Sequence, residues 1–492
     1  MSSVVEKPSA VRFSTLEALQ SPDRASRLLP YLRFDQLATA AEVIGDLSAA
    51  AISVLGAFKI CSVLGLGNAV VSTSSLAIVA SIVFSVLFVI MLDREGVYRK
   101  GSGMLRIRET ERTLRVSVFT FLLFFPITFL FPRTFSRWVL GVAFFAVPLV
   151  VVIEKQAIFS LIRYLHARGR GVQRVMIYGA GFTGRRVYSA LLRSRKLGLN
   201  PIALVDDDAK MAGQTLKVLG YHHEQSESVI VGPITVRMIK EYRADLVIVA
   251  VPTIGQEKLA ELAALAKEAG VTLSFVPNQP PSEAAWVSYE DIDGIMLGTL
   301  KGPESMRLYQ AMKRVVDICV SATALALLSP LLALIAAGVR LDSEGPVIFK
   351  QLRVGKNGKL FEIYKFRTMK TDAQKYDLSP TMSEDSRITR FGRSLRKTSL
   401  DELPQLLNVL KGEMSLVGPR PEMPFIVARY GPRELQRLSV IPGITGLWQL
   451  SADRAYLIHE NPHYDLYYIR NRGVFMDFAI LLHTLFFAIR GI

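Results

Sequence analysis

Four apolar runs in the first third of the chain, at about 43–64, 69–92, 115–132 and 137–153, constrain its fold more than any other feature. About 20 apolar residues in an α-helix cross the ~30 Å hydrocarbon core of a bilayer. The runs are therefore predicted to be four transmembrane helices. Asp46 and Lys59 interrupt the first, and the short third contains Pro126, which a membrane helix tolerates. Composition agrees. Half of the 492 residues are hydrophobic, only 21% are charged, and mean hydropathy is +0.30. Disordered, collagen-like and disulfide-scaffold classes are excluded. Cys61 and Cys319, the two cysteines, sit inside apolar runs, so neither a disulfide nor a cysteine metal site is expected. Residues 1–33 are polar and mixed and do not read as a secretory signal.

Loop charges set the predicted orientation. Lys7, Arg12, Arg24, Arg27 and Arg33 precede the first run. Arg94, Arg99, Lys100, Arg106, Arg108, Arg112 and Arg115 lie between the second and third. The turn near 65–68 carries no Lys or Arg, and that near 132–138 only Arg133 and Arg137. The positive-inside rule then puts both ends of the bundle, and everything after residue 154, in the cytoplasm. The net charge of +16 calls for an anionic partner such as lipid headgroups or a phosphorylated substrate. Without a nucleic-acid-binding motif, nucleic acid is not the expected one.

The middle of the chain reads as a Rossmann-like α/β domain. Arg174–Tyr178 is a predicted strand, Gly179-Ala-Gly181-Phe-Thr-Gly184 follows directly, and Arg185–Leu192 reads as a helix. That context suits phosphate at a helix N-terminus, and an acid near Asp206, after a second strand at Ile202–Val205, suits a ribose hydroxyl. Further strands are expected at Leu246–Val251 and Thr272–Val276, with a helix at about 256–269 between them. A nucleotide or dinucleotide is the ligand such a loop would take. A structural or regulatory module, or one that mediates a homodimer, fits the same residues. Tyr309 and Lys313 match the Tyr-x-x-x-Lys pair of short-chain dehydrogenases. They open a second reading, a membrane-tethered NAD(P)-dependent nucleotide-sugar oxidoreductase or dehydratase. The pair runs straight into an apolar helix, however, which favours coincidence.

From Ile318 to Val339 no residue is charged, and both flanks are basic: Lys313 and Arg314 before, Arg340, Lys350, Arg353, Lys356 and Lys359 after. A spanning helix would leave one basic flank outside, so a re-entrant helix over 313–340, turning at Ser329-Pro330, is predicted. Gly345-Pro-Val-Ile-Phe-Lys350-Gln-Leu-Arg353-Val-Gly355-Lys-Asn-Gly358 and then Tyr364-Lys365-Phe-Arg367-Thr-Met369 follow, dense in cations and turn residues suited to a diphosphate or to anionic headgroups. Asp401 and Glu402 lie between basic residues on a short apolar helix. Paired carboxylates there can supply a nucleophile and a ligand for Mg²⁺.

Five motifs together resemble the bacterial sugar transferase family, the polyprenyl-phosphate hexose-1-phosphate transferases or monotopic phosphoglycosyltransferases. They are Ser329-Pro330, Lys365-Phe-Arg-Thr-Met369, Asp401-Glu-Leu-Pro-Gln405, Gly418-Pro-Arg-Pro421 and Pro442-Gly-Ile-Thr-Gly446. The four spans and the Rossmann-like domain resemble the long subtype that starts exopolysaccharide, capsule or O-antigen synthesis. The resemblance implies that Asp401 attacks a UDP-sugar, releases UMP, and hands the sugar phosphate to undecaprenyl phosphate. It implies Mg²⁺ at Asp401 with Glu402, and phosphate contacts from Lys365, Arg367, Arg393, Arg396, Arg420 and Arg454. Glucose is the expected hexose, and Asp477 matches an acidic family position. Many members carry Ser-Gly-Arg shortly after Trp-Gln, whereas Ser451 here is followed by Ala452-Asp453-Arg454, one residue longer and without glycine.

The predicted class is thus a mixed membrane protein of the bacterial inner membrane. Its parts are a cytoplasmic segment (1–36), four transmembrane helices (37–156), the Rossmann-like domain (157–304) and an α-rich transferase domain (305–492) on the cytoplasmic face.

Overall fold

The computed structural model describes residues 22–66, 74–98, 106–126, 137–193, 198–211, 215–217, 226–277, 286–292, 295–301, 306–371, 385–450 and 462–490. They fall into two compact units, Met1–Met104 with Thr120–Gln279, and Leu105–Phe119 with Pro280–Ile492. Among the described residues four helices are long and apolar enough to cross a membrane, which makes the chain a mixed membrane protein. They cover Gln36–Val63, Ala77–Arg94, Arg137–Ala167 and Arg307–Asp342. The third predicted span divides differently. Its first residues end the helix Arg106–Phe124, whose opening turns are basic, and residues 127–136 lie outside the described set.

In the first unit the helix Pro22–Val63 packs against Ser74–Arg94 and Arg137–Ala167. Asp46, the acid that breaks the first apolar run, is fully buried; Lys155 Nζ lies 2.7 Å from its carboxylate and Tyr98 donates to it at 2.7 Å. Removing one partner would strand a buried charge, so the pairing explains how the run tolerates an acid.

The α/β part of this unit has strands β1 (Gln173–Tyr178), β2 (Leu199–Asp206), β3 (Thr215–Lys217), β4 (Ser226–Val231), β5 (Leu246–Val249) and β6 (Thr272–Phe275). Their order is β3-β4-β2-β1-β5-β6, parallel throughout except for the β3 edge. A central parallel strand is covered on both faces and reads as an unbroken apolar run, as Val175, Met176 and Ile177 do, all fully buried. The helices Phe182–Arg193 and Gln256–Ala269 sit where the sequence predicted them, the second residue for residue. The predicted Rossmann-like sheet is therefore present.

The second unit contains residues 105–119 as well as the C-terminal part, an assignment that sequence continuity gives no hint of. Ile107 joins the core of this unit with Phe361, Val409, Leu447, Met476 and Ile480. The unit also holds the hairpin β7 (Trp286–Ile292)–β8 (Ile295–Lys301), which the sequence reading had grouped with the middle domain. The 36-residue helix Arg307–Asp342 is about 54 Å long at 1.5 Å per residue. It carries Pro330 in its interior. Proline has no N–H for the carbonyl four residues back, which here is Ala326. The Ser329 hydroxyl donates to that carbonyl at 2.8 Å, so the Ser-Pro pair repairs the bond that Pro330 removes.

Candidate active site

Helix Arg390–Thr398 starts at Thr389, whose hydroxyl accepts from Gly392 N at 3.0 Å, and ends at Ser399 in a left-handed conformation (φ 56°). That reversal sends the chain into the tight turn Leu400–Glu402, and the next helix, Gln405–Lys411, begins behind Pro404. The two carboxylates thus sit on a short turn between two helices, not on a helix face.

Their surroundings differ sharply. Glu402 Oε1 accepts from Lys365 Nζ at 2.7 Å and from Arg420 Nη2 at 2.8 Å. The two cations outweigh the cost of burial and hold the Glu402 carboxyl well below the usual range. Arg420 is held above its ordinary value by Glu402, while burial pulls Lys365 down. Asp401 is 9% exposed, and its carboxylate accepts no hydrogen bond among the described residues. Burial pushes its carboxyl up; the charges of Lys365, Arg396 and Arg420 oppose that, and Glu402 adds to it. Two adjacent carboxyls pushed apart in this way take different roles. Glu402 is the carboxylate bonded to the cations, and Asp401 is the one without a hydrogen bond among the described residues.

Lys365 is the penultimate residue of β10 (Leu360–Phe366), which pairs antiparallel with β9 (Ile348–Val354). Arg420 stands on a loop held by backbone contact. β11 (Ser415–Val417) runs parallel to β12 (Gly443–Thr445), Gly418 N donates to Thr445 O at 2.9 Å, and Gly443 N donates to Pro419 O at 2.9 Å. A Cβ on Gly443 would lie 2.0 Å from Gly418 N, and one on Gly446 2.4 Å from Gly418 O. The Gly-Pro-Arg-Pro and Pro-Gly-Ile-Thr-Gly motifs are therefore two halves of one support, and glycine is required where the backbones touch.

Two arginines complete this support, Arg353 from the basic stretch ahead of Lys365 and Arg437, which no motif marks. Arg353 Nη1 donates to Pro421 O at 3.3 Å and lies 3.7 Å from the Glu422 carboxylate, and its Nη2 donates to Gln351 at 2.7 Å. Burial, with the neighbouring Arg420 charge, pushes Arg353 down to about 10. Arg437 Nη2 donates to Arg420 O at 3.1 Å while its Nε holds Asp465 at 2.7 Å; it also donates to Tyr430. The available signal was Arg353 two residues after Gln351, on one face of a strand.

The other predicted residues divide. Arg396, half-buried on Arg390–Thr398, lies close enough to bias Asp401, and Arg393 is exposed on the same helix. Arg367 does not join the Glu402 cluster: it is 5% exposed and donates to Ser343 O at 2.6 Å and Ser343 Oγ at 2.9 Å. It fastens the end of the long apolar helix instead. Arg454 lies outside the described residues. Tyr309 and Lys313 converge on Asp477, at 2.8 and 2.7 Å, and Tyr468 completes the group at 2.8 Å. They belong to the second unit, whereas the glycine loop belongs to the first.

In that loop Gly179 has φ +103°, and a Cβ on Gly184 would lie 1.7 Å from Gly179 O. Gly181 faces open space. Asp206 accepts from Ala180 N at 2.6 Å and from Asp208 N at 2.9 Å, so the predicted ribose acid is hydrogen-bonded to the loop itself.

Among the described residues no three His, Cys, Asp or Glu side chains cluster as a metal site. Mg²⁺ normally takes one or two carboxylates plus substrate phosphates. Asp401 fits that donor set; Glu402, already bonded to two cations, does not.

Comparison with known proteins matches two segments of the chain to families. The family profile described as bacterial sugar transferase matches residues 308–491, and that described as CoA-binding domain matches 94–277. An exopolysaccharide production protein PSS of Rhizobium leguminosarum bv. phaseoli is 44% identical over 187 residues, 35% of this chain and 92% of its own length. An undecaprenyl-phosphate galactose phosphotransferase of Salmonella typhimurium is 32% identical over 338 residues, 65% of this chain and 69% of its own. A UDP-glucose:undecaprenyl-phosphate glucose-1-phosphate transferase of Klebsiella pneumoniae is 38% identical over 205 residues, 40% of this chain and 44% of its own. The second of these alignments runs well beyond the C-terminal third that carries Asp401, Glu402 and Arg420. The chain belongs to the bacterial sugar transferase family.

Proposed function

We propose that this phosphotransferase moves hexose 1-phosphate from a UDP-hexose, glucose first among the candidates, to undecaprenyl phosphate, starting an exopolysaccharide, capsule or O-antigen. The observation that carries the reading is the asymmetry at Asp401-Glu402: a buried, unbonded carboxylate beside one clasped by Lys365 and Arg420.

Asp401 Oδ attacks the β-phosphorus of the UDP-sugar. The bond from that phosphorus to the oxygen bridging the α-phosphate breaks, and UMP leaves with the oxygen and the electron pair. A hexose-1-phosphoryl aspartate remains. A phosphate oxygen of undecaprenyl phosphate then attacks the same phosphorus, and the carboxylate of Asp401 departs intact. Lys365 and Arg420 face the charge that gathers on the diphosphate, and Glu402 keeps both cations fixed before substrate arrives. Mg²⁺, held by Asp401 and substrate phosphates, would supply further charge neutralisation. Arg396 is assigned an electrostatic role toward the same phosphates, and Arg393 and Arg454 the weaker phosphate contacts.

A re-entrant course for Arg307–Asp342 would keep Lys313 and Arg340 on the cytoplasmic side of the inner membrane. The basic flanks support it; the helix itself runs unbroken through Pro330, with the Ser329–Ala326 bond standing in for the one proline removes. The oxidoreductase alternative loses its catalytic pair, because Tyr309 and Lys313 are committed to Asp477.

The test is UMP release from UDP-glucose and UDP-galactose by the purified full chain with undecaprenyl phosphate and Mg²⁺. Release that depends on the lipid for turnover and disappears in Asp401→Asn is the expected result. Release from neither sugar, nor from their N-acetylated forms, would sink the reading.

A further inference from the structure

Asp401-Glu402 and Arg420 sit at the two ends of one continuous corner of chain. The corner runs from the carboxylate turn through helix Gln405–Lys411, reverses at Gly412 (φ 85°), and returns through β11 to Gly418 and Arg420. The Glu402–Arg420 ion pair ties the open ends together. The apex is held from outside by a single helix turn at the start of Arg307–Asp342. Arg314 Nη1 donates to Val409 O at 2.6 Å and its Nη2 to Leu410 O at 2.7 Å. Asp317, 4% exposed, accepts from Leu416 N at 3.0 Å.

We propose that Arg314 and Asp317 are positioning residues of the transferase site, setting the angle of this corner and hence the registry of Glu402 and Arg420. The assignment rests on the function proposed above.

The physical case has three parts. The last carbonyls of a helix carry its negative partial charge; Val409 O also accepts from Gly412 N at 3.0 Å, and a guanidinium forked across Val409 O and Leu410 O fixes both the position and the direction of this helix end. The Leu416 amide is buried, so without the Asp317 carboxylate it would be left unpaired at a cost that the strand can relieve only by moving. The two anchors lie three residues apart on a rigid helix, one gripping the outgoing arm of the corner and the other the returning arm. Neighbouring contacts stiffen the same helix turn: Lys313 and Tyr309 hold Asp477, and Tyr468 donates to both Asp477 and Val417 O. An apolar helix that only anchored the chain in lipid would not need three charged side chains in five residues turned toward the protein.

The test uses the full-length chain in detergent or nanodiscs, with UDP-glucose or UDP-galactose, whichever the wild type turns over. Arg314→Met is compared with Arg314→Lys, which can still donate and keeps the charge. Misplacing catalytic groups by about 1 Å can cost about 100-fold. Arg314→Met is therefore expected to lose about 10- to 100-fold in kcat, with KM changed less than about threefold, and Arg314→Lys, which keeps the charge but loses the fork, to recover only part of it. Amide exchange should accelerate in 400–420 in Arg314→Met and not across the rest of the unit. Combined with Arg420→Lys, the losses should fall short of their product, because both act on one registry.

An Arg314→Met enzyme with unchanged kcat, or with losses that multiply cleanly with Arg420→Lys, overturns the proposal. Uniformly faster exchange over the whole unit also overturns it, since that marks a general stability role. If the wild type releases no UMP from any UDP-hexose, the function fails instead, and the exchange comparison still decides whether Arg314 holds the corner.

Discussion

The sequence marks two places for phosphate, the Gly179–Gly184 loop and the Asp401–Glu402 turn, and they treat their own carboxylates in opposite ways. In the loop, Asp206 turns back onto Ala180 N, and the acid and the amide satisfy one another. At the turn, Glu402 satisfies Lys365 and Arg420 while Asp401 is left buried and unbonded. A site whose polar groups are all paired is at rest. One that keeps a reactive group unpaired bears a cost in stability, and such costs collect where chemistry is done.

The sharpest way to break the comparison is to neutralise one acid in each place. Asp401→Asn is expected to lower UMP release by at least about 10³-fold, as removal of a nucleophile does. Asp206→Asn should leave the rate per folded molecule within about twofold, because no step uses it. Comparable losses in the two variants would end the distinction.

The adjacent carboxylates should also pull stability in opposite directions with pH. Glu402 has a depressed folded value, so its contribution is present above about pH 4.3 and lost as pH falls through that folded value. Asp401 is raised, so the folded state binds its proton more tightly; stability is gained at low pH and lost as pH rises through the folded value. At neutral pH, Glu402→Gln should therefore be less stable than wild type by on the order of 3 kcal/mol, with Lys365 and Arg420 left facing each other. Asp401→Asn should be as stable or more so. Thermal unfolding of both variants at neutral pH checks these differences, and a series carried down below about pH 4 checks their opposite pH dependence.

Smaller effects separate the glycines of the loop. Gly184→Ala is expected to destabilise the first unit by about 1–3 kcal/mol, since a Cβ there meets Gly179 O. Gly181→Ala should fall within about 0.5 kcal/mol of wild type. Equal effects would mean that the loop packs otherwise than described.

Much of this was legible in the sequence, for identifiable reasons. The strand–glycine–helix order of 173–193 and the helix 256–269 were readable because local pattern fixes them: an apolar run, a turn that demands glycine, an amphipathic repeat. Asp401, Glu402, Lys365 and Arg420 were named from motifs, and the structure brings all four together. What pattern could not give is which acid takes the cations, since Asp401 and Glu402 are neighbours in sequence and are told apart only by strands and loops arriving from 365 and 420. Arg367 misled for the same reason: it shares a motif with Lys365 yet turns to Ser343. The joining of residues 105–119 to the second unit, and the role of Arg437 beneath Arg420, are long-range facts with no local trace, whereas Arg353 was marked only as one of several cations in a basic stretch.

The claim that Asp401 alone is the free, reacting carboxylate is tested most directly by intact-mass measurement after incubation with a UDP-hexose and Mg²⁺ in the absence of undecaprenyl phosphate. The account predicts an adduct of one hexose phosphate, mapped to Asp401, absent in Asp401→Asn, and discharged when undecaprenyl phosphate is added. An adduct that persists in Asp401→Asn, or that maps to Glu402, would contradict it.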